Sequence, residues 1–156
     1  MGRYYNTASG REGKFMFGVQ PSDDPGTMGM REQDPTMITY YADEHDRDKI
    51  IKNLDDQYDL LGVPKEERIY SYKTREQMNK FEEEVLTDRV FVHVRQDDTE
   101  ALKKYEHASR WCSSKGDDYI DFEKKGKALC LARVRLALDI LSDIEQEGYC
   151  TLDAEL

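Results

Sequence analysis

The sequence predicts one mixed domain over residues 1–156, α/β or α+β. It expects a mixed sheet of about five strands, an antiparallel N-terminal unit and about four packing helices, the last one long. Three observations predict this. Residues 3–41 hold short segments of period two separated by turn formers. Between 37 and 112, extended and helical patterns alternate. From Lys127 to Glu147 a helical pattern has a wide apolar arc. A chain of 156 residues has room for one modest core.

In chain order, Phe15, Phe17 and Val19 alternate with Lys14, Met16, Gly18 and Gln20, which reads as a half-buried strand over 14–20. Arg3 to Thr7 pairs with it across the turn at Ser9–Gly13. Pro21–Gly26 is dense in turn formers and opens a loop running to Pro35; Met37 to Tyr41 is extended again. Ile50, Ile51, Leu54, Tyr58 and Leu61 then fall three or four apart, the stripe of a helix that Gly62 and Pro64 stop. Ile69 to Tyr72 reads as a short strand. Thr74 with Gln77 forms a capping box that opens a helix burying Met78, Phe81 and Val85. Val90, Phe91, Val92 and Val94 make Arg89 to Arg95 the strongest strand pattern, expected to be central and covered on both faces. Leu102, Tyr105, Ser109 and Cys112 mark a third helix, followed by an exposed loop over 113–126.

In the last helix, Leu129, Leu131, Val134, Leu136, Leu138, Ile140, Leu141 and Ile144 span about half the circumference, with Arg135, Asp139, Ser142 and Asp143 opposite. Such a stripe is either central to the core or shared with a second copy of the chain. A homodimer is expected, with Leu131, Val134, Leu138 and Leu141 at the contact. Arg133 falls inside the apolar arc, where a guanidinium must be paired, reach water or face a polar cavity. A buried ion pair is the structural reading of it; an anion site or a dimer contact is the functional one.

Composition excludes several classes. The chain has 23 Lys plus Arg against 33 Asp plus Glu, a net charge of −10, spread along its length. Leu, Ile, Val and Phe number only 31, the border of disorder for so charged a chain, but ten Tyr and six Met add apolar bulk. Duplex DNA is not an expected partner, because phosphate binding needs a basic stripe and the cluster Lys124, Lys125, Lys127 follows four acidic residues. A protein partner is expected instead, since acidic proteins dock basic surfaces. No apolar run nears the roughly 20 residues that span a bilayer, and no signal core opens the chain, so neither a membrane nor export is expected. Cys112, Cys130 and Cys150 lack any C-x-x-C spacing, which fits free thiols in a reducing compartment, cytoplasm or nucleus, and no metal or cofactor.

No motif specifies a reaction. Gly10–Lys14 lacks the spacing of a phosphate loop and reads as a hairpin turn. Cys112 and His107 stand five apart on one helix and do not share a face. Adjacent carboxylates such as Asp55–Asp56 point to different sides and do not converge on a cation. His93, Asp97 and Asp98 lie in or just after the strongest strand, which makes them the candidate site of a small enzyme, although Asp98 equally suits a helix cap. Tyr4, Tyr5, Tyr40, Tyr41, Tyr70 and Tyr72 fall on expected strands. On one face they would form a protein-binding patch or stack single-stranded bases. With so much negative charge the protein patch is preferred, and the chain reads as a non-enzymatic acidic interaction protein. The alternatives are the small enzyme, a single-strand binder or a nucleic-acid mimic.

The stretch from Tyr4-Tyr5 through Gly10-Arg11-Glu12-Gly13-Lys14-Phe15-Met16-Phe17-Gly18-Val19-Gln20 to Ser22-Asp23-Asp24 resembles a segment of uncharacterised proteins of large DNA viruses, the marseillevirus group among them. The resemblance covers about 20 residues, holds no enzyme signature and transfers no catalytic residue. It implies a viral gene product acting inside the host cell, with a place in the virion as one form of that.

Overall fold

The computed structural model describes residues 3–16, 19–34 and 39–154. They form an α+β fold with two open sheets. The larger sheet contains β1 (Tyr4–Thr7), β2 (Glu12–Lys14), β3 (Arg31–Asp34), β4 (Thr39–Asp43) and β8 (Tyr149–Ala154), in the order β2-β1-β8-β4-β3. The smaller contains β5 (Phe91–Arg95), β6 (Arg110–Trp111) and β7 (Tyr119–Glu123), in the order β5-β7-β6. Every pairing is antiparallel, so the mixed sheet expected from sequence resolves into hairpins and one long return by β8.

The core lies between the larger sheet and α2 (Arg47–Leu61), with α6 (Lys127–Glu147) through its middle. Gly62 ends α2 and Gly148 ends α6, both at positive φ, where a residue without Cβ accepts the left-handed turn freely. One side of α6 meets α2 and another meets β8 and β4, which explains the width of its apolar arc. Leu131, Val134, Leu138 and Leu141 are buried by these elements of the same chain. The expected dimer contact on this stripe is therefore corrected: its apolar surface is already covered. The side expected to face water is also largely buried. Asp139, Ser142 and Asp143 are at most 3% exposed; Asp139 and Asp143 meet side chains of β1 and the turn after it, and Ser142 meets the Tyr72 backbone. Only Arg135 of that group reaches solvent.

Other elements differ from expectation for local reasons. The strand expected over 14–20 ends at Lys14, and Val19 and Gln20 lie in a turn in which the Gln20 amide donates to the Met16 carbonyl at 2.9 Å. Phe17 and Gly18, with Met37 and Ile38 of the second expected extended run, lie outside the described residues. Ile69–Tyr72 is irregular because side chains take its backbone groups: Tyr58 donates to the Ile69 carbonyl at 2.6 Å, and the Tyr72 amide donates to Ser142 at 2.9 Å. Between them α3 (Arg75–Phe81), with its Thr74–Gln77 capping box, continues through a π-helical turn at Glu82–Leu86 into α4 (Thr87–Val90). The strand expected as central, β5, is an edge strand; Val94 and Phe122 of β7 are buried on one face, and Phe91 packs against the core on the other. Beyond α5 (Thr99–Lys104), Trp111 forms part of β6 rather than continuing a helix to Cys112. A short α1 (Asp24–Thr27) completes the fold.

Candidate functional site

A groove of about 810 Å³ opens between the smaller sheet and α6. Leu131, Ala128 and Ala132 of α6 form its floor, Phe91 and Trp111 its sheet wall, and Phe15 closes the hairpin end. Period two explains the wall. His93 pairs with Asp121 and Trp111 with Asp121 in adjacent ladders, so one face of the sheet presents Phe91, His93, Asp121 and Trp111 together. The Phe91 and Trp111 rings lie 6.0 Å apart, tilted, and Trp111 remains 37% exposed. At the far wall Arg135 pairs with Glu82 through two hydrogen bonds, at 2.5 and 2.9 Å, which leaves the groove an ionic rim over an apolar floor.

Beside the groove, His93 Nδ1 lies 2.6 Å from the buried Asp121 carboxylate and Nε2 lies 2.9 Å from Asp88. The neutral ring donates to one of these, the imidazolium to both. Asp121 also accepts from the Ser113 hydroxyl and the Ser114 amide, each at 2.9 Å. Burial pushes its carboxyl up, but the bonds from His93, Ser114 and Ser113 outweigh burial and hold it below the usual carboxylate range. These residues tie α4, β5, β7 and the loop after β6 into one wall. The candidate catalytic group does not assemble: Asp97 pairs with Arg95 at 3.2 Å, and Asp98 caps α5 by accepting from the Ala101 amide at 3.1 Å. His93 meets Asp121 and Asp88 instead, residues sequence spacing did not link to it.

The tyrosines separate by strand alternation. Tyr5 and Tyr40 are buried on the core side of the larger sheet, while Tyr4 and Tyr41 face outward. Tyr149 joins them from β8, its ring stacked on Tyr41 at 6.3 Å. Tyr70 and Tyr72 lie on no strand; Tyr70 donates to Asp55 at 2.7 Å. Tyr72 and Tyr5 both donate to Asp139 inside the core, the Tyr5 bond at 2.5 Å. Burial raises the Asp139 carboxyl above its ordinary value against the pull of those two hydroxyls. Next to it, Arg11 pairs with the buried Asp143, and its guanidinium lies 5.3 Å from the centre of the Tyr72 ring. This cluster fixes the hairpin onto α6, and at its Asp143 end Ser9, Glu147 and Tyr149 line a smaller opening of about 200 Å³. Arg133 is likewise structural: its Nε donates to the fully buried Asp24 at 3.1 Å.

The sequence reading assigns none of Trp111, Phe91, Arg135 and Glu82 to a site; Phe91 and Arg135 enter it only as members of a strand and of the last helix. The only signal was the lone tryptophan, placed on an expected helix. Among the described residues no three His, Cys, Asp or Glu side chains converge to hold a metal ion, and no helix is long and apolar enough to cross a membrane. Comparison with protein-family models, curated proteins and solved structures finds no match.

Proposed function

We propose that the chain is a non-enzymatic, acidic interaction protein that docks a protein partner in the groove between the smaller sheet and α6. The observation that supports this is Trp111, exposed over an apolar floor and flanked by an ionic rim, the anatomy of a docking hot spot. A net charge of −10 favours a basic partner and speeds its encounter. The stripe that suggested a homodimer is covered by the chain itself, which leaves the groove as the surface offered to a partner. The N-terminal resemblance to proteins of large DNA viruses favours a setting inside an infected cell or in the virus particle. The enzyme reading loses support because Asp97 and Asp98 are engaged away from His93.

The test is capture from native-cell lysate after nuclease treatment, comparing the wild type with Ala132→Glu, which plants a charge on the groove floor. A stoichiometric protein held by the wild type and released by the variant supports the reading. Capture that is equal for both, or that disappears with nuclease, overturns it.

A further inference from the structure

The outer edge of β5 is open. Within the ladder the Lys124 amide donates to the Val90 carbonyl at 2.8 Å and the Gln96 amide to the Asp118 carbonyl at 2.9 Å. Antiparallel pairing alternates, so Val92 and Val94 bond inward to β7, and Phe91, His93 and Arg95 turn their backbone groups away from it. Two of those groups are used locally: the Phe91 amide donates to the Thr87 carbonyl, and the Arg95 carbonyl accepts from Asp98. The Phe91 carbonyl, both His93 groups and the Arg95 amide take part in no hydrogen bond among the described residues. An uncovered edge of this kind is a template for another strand.

The surroundings select the occupant. Asp88 and Asp97 have side chains 71% and 74% exposed at the two ends of β5. The exposed Asp98, Asp117 and Asp118 gather at its C-terminal end, where Gln96 holds the 117–118 loop by two bonds. Against these five carboxylates stand Arg95, paired with Asp97, and Lys115 and Lys124, both at Asp88. The two faces of the edge differ: His93 with Asp88 on one, the half-buried Val92 on the other.

We infer that β5 accepts an extended basic segment of a partner as an added antiparallel strand, its cationic side chains on the His93 face and its apolar ones beside Val92. A residue opposite His93 exchanges two hydrogen bonds with it, and the Phe91 carbonyl and Arg95 amide supply the next two. The inference shares the basic partner of the proposed function but rests on the backbone edge of β5, which borders the groove at Phe91, and not on the groove floor.

The probe is the peptide acetyl-Lys-Val-Lys-Val-Lys-Val-Lys-amide, with a glutamate-for-lysine counterpart, added to the full-length ¹⁵N-labelled chain. Saturating lysine peptide is expected to slow hydrogen exchange of the His93 and Arg95 amides at least tenfold, with little effect from the glutamate peptide. Arg95→Pro removes one outward donor while sparing the bonds to β7, a position where an edge strand tolerates proline, and is expected to abolish the protection. Ala132→Glu is expected to leave it intact, which separates this edge from the groove. Unchanged exchange at millimolar lysine peptide overturns the inference, as does equal protection by both peptides. Amides already protected in a chain of twice the monomer mass would also overturn it, because a second copy would then cover the edge.

Discussion

Replacing Tyr72 by Phe removes one of the two hydroxyls that donate to Asp139 inside the core. Tyr72 is 6% exposed and Asp139 3%, so water cannot substitute for the lost donor without repacking. A hydrogen bond to a charged group contributes about 1.5–3 kcal/mol, and a domain of this size loses about 2–4 °C of Tm per kcal/mol. Tyr72→Phe is therefore expected to lower stability by that amount at pH 7 and Tm by about 3–12 °C. Its pH dependence has a definite sign. Burial holds the Asp139 proton more tightly in the folded chain than in the unfolded one. Stability therefore falls as pH rises from the unfolded carboxyl value, about 3.9, to the raised folded value. Removing a hydroxyl that favours the carboxylate raises the folded value further. The deficit of Tyr72→Phe is thus fullest at neutral pH and shrinks on acidification, as the carboxyl takes up its proton. Urea unfolding of both proteins from pH 4 to pH 8 measures it. A deficit below about 0.5 kcal/mol at pH 7, a surface-substitution value, or one that grows on acidification, refutes the reasoning.

Leu138→Ala empties a fully buried site on α6 and should cost about 2–5 kcal/mol while leaving the mass in light scattering unchanged, since the site faces the chain's own core. Asp121 has a folded carboxyl value below its unfolded one, so its contribution is present above about pH 4 and lost as pH falls through the depressed value. Asp121→Asn should cost about 1–3 kcal/mol at pH 7 and give a shallower acid unfolding curve. Gly13 lies directly under the Tyr5 ring, where an added Cβ would collide with it. Gly13→Ala should destabilise by about 1–3 kcal/mol, and a neutral or stabilising result in thermal melts would contradict that packing.

Much of the fold was legible where local rules act alone. The α2 stripe, its Gly62 stop, the Thr74–Gln77 box and the Asp98 cap all depend on neighbours within a few residues. What depended on distant partners was not legible. β7 and β8 carry weak patterns of their own, yet they organise both sheets; without them β5 reads as central and α6 as half-solvated. Asp139 and Asp143 are polar by type but are buried because Tyr5, Tyr72 and Arg11 reach them from about 70 to 130 residues away in the chain. The groove was hidden for the same reason, since its floor, walls and rim come from five separate stretches of sequence.

Trp111 is the chain's only tryptophan and it stands on the groove wall, so 5-fluorotryptophan gives a single ¹⁹F resonance at the proposed docking site. Titrating the captured partner into the labelled protein tests the account most directly. The account predicts that this resonance shifts and saturates at one partner per chain, and that Ala132→Glu abolishes the shift. A partner that binds at full stoichiometry while the Trp111 resonance stays in place would contradict it.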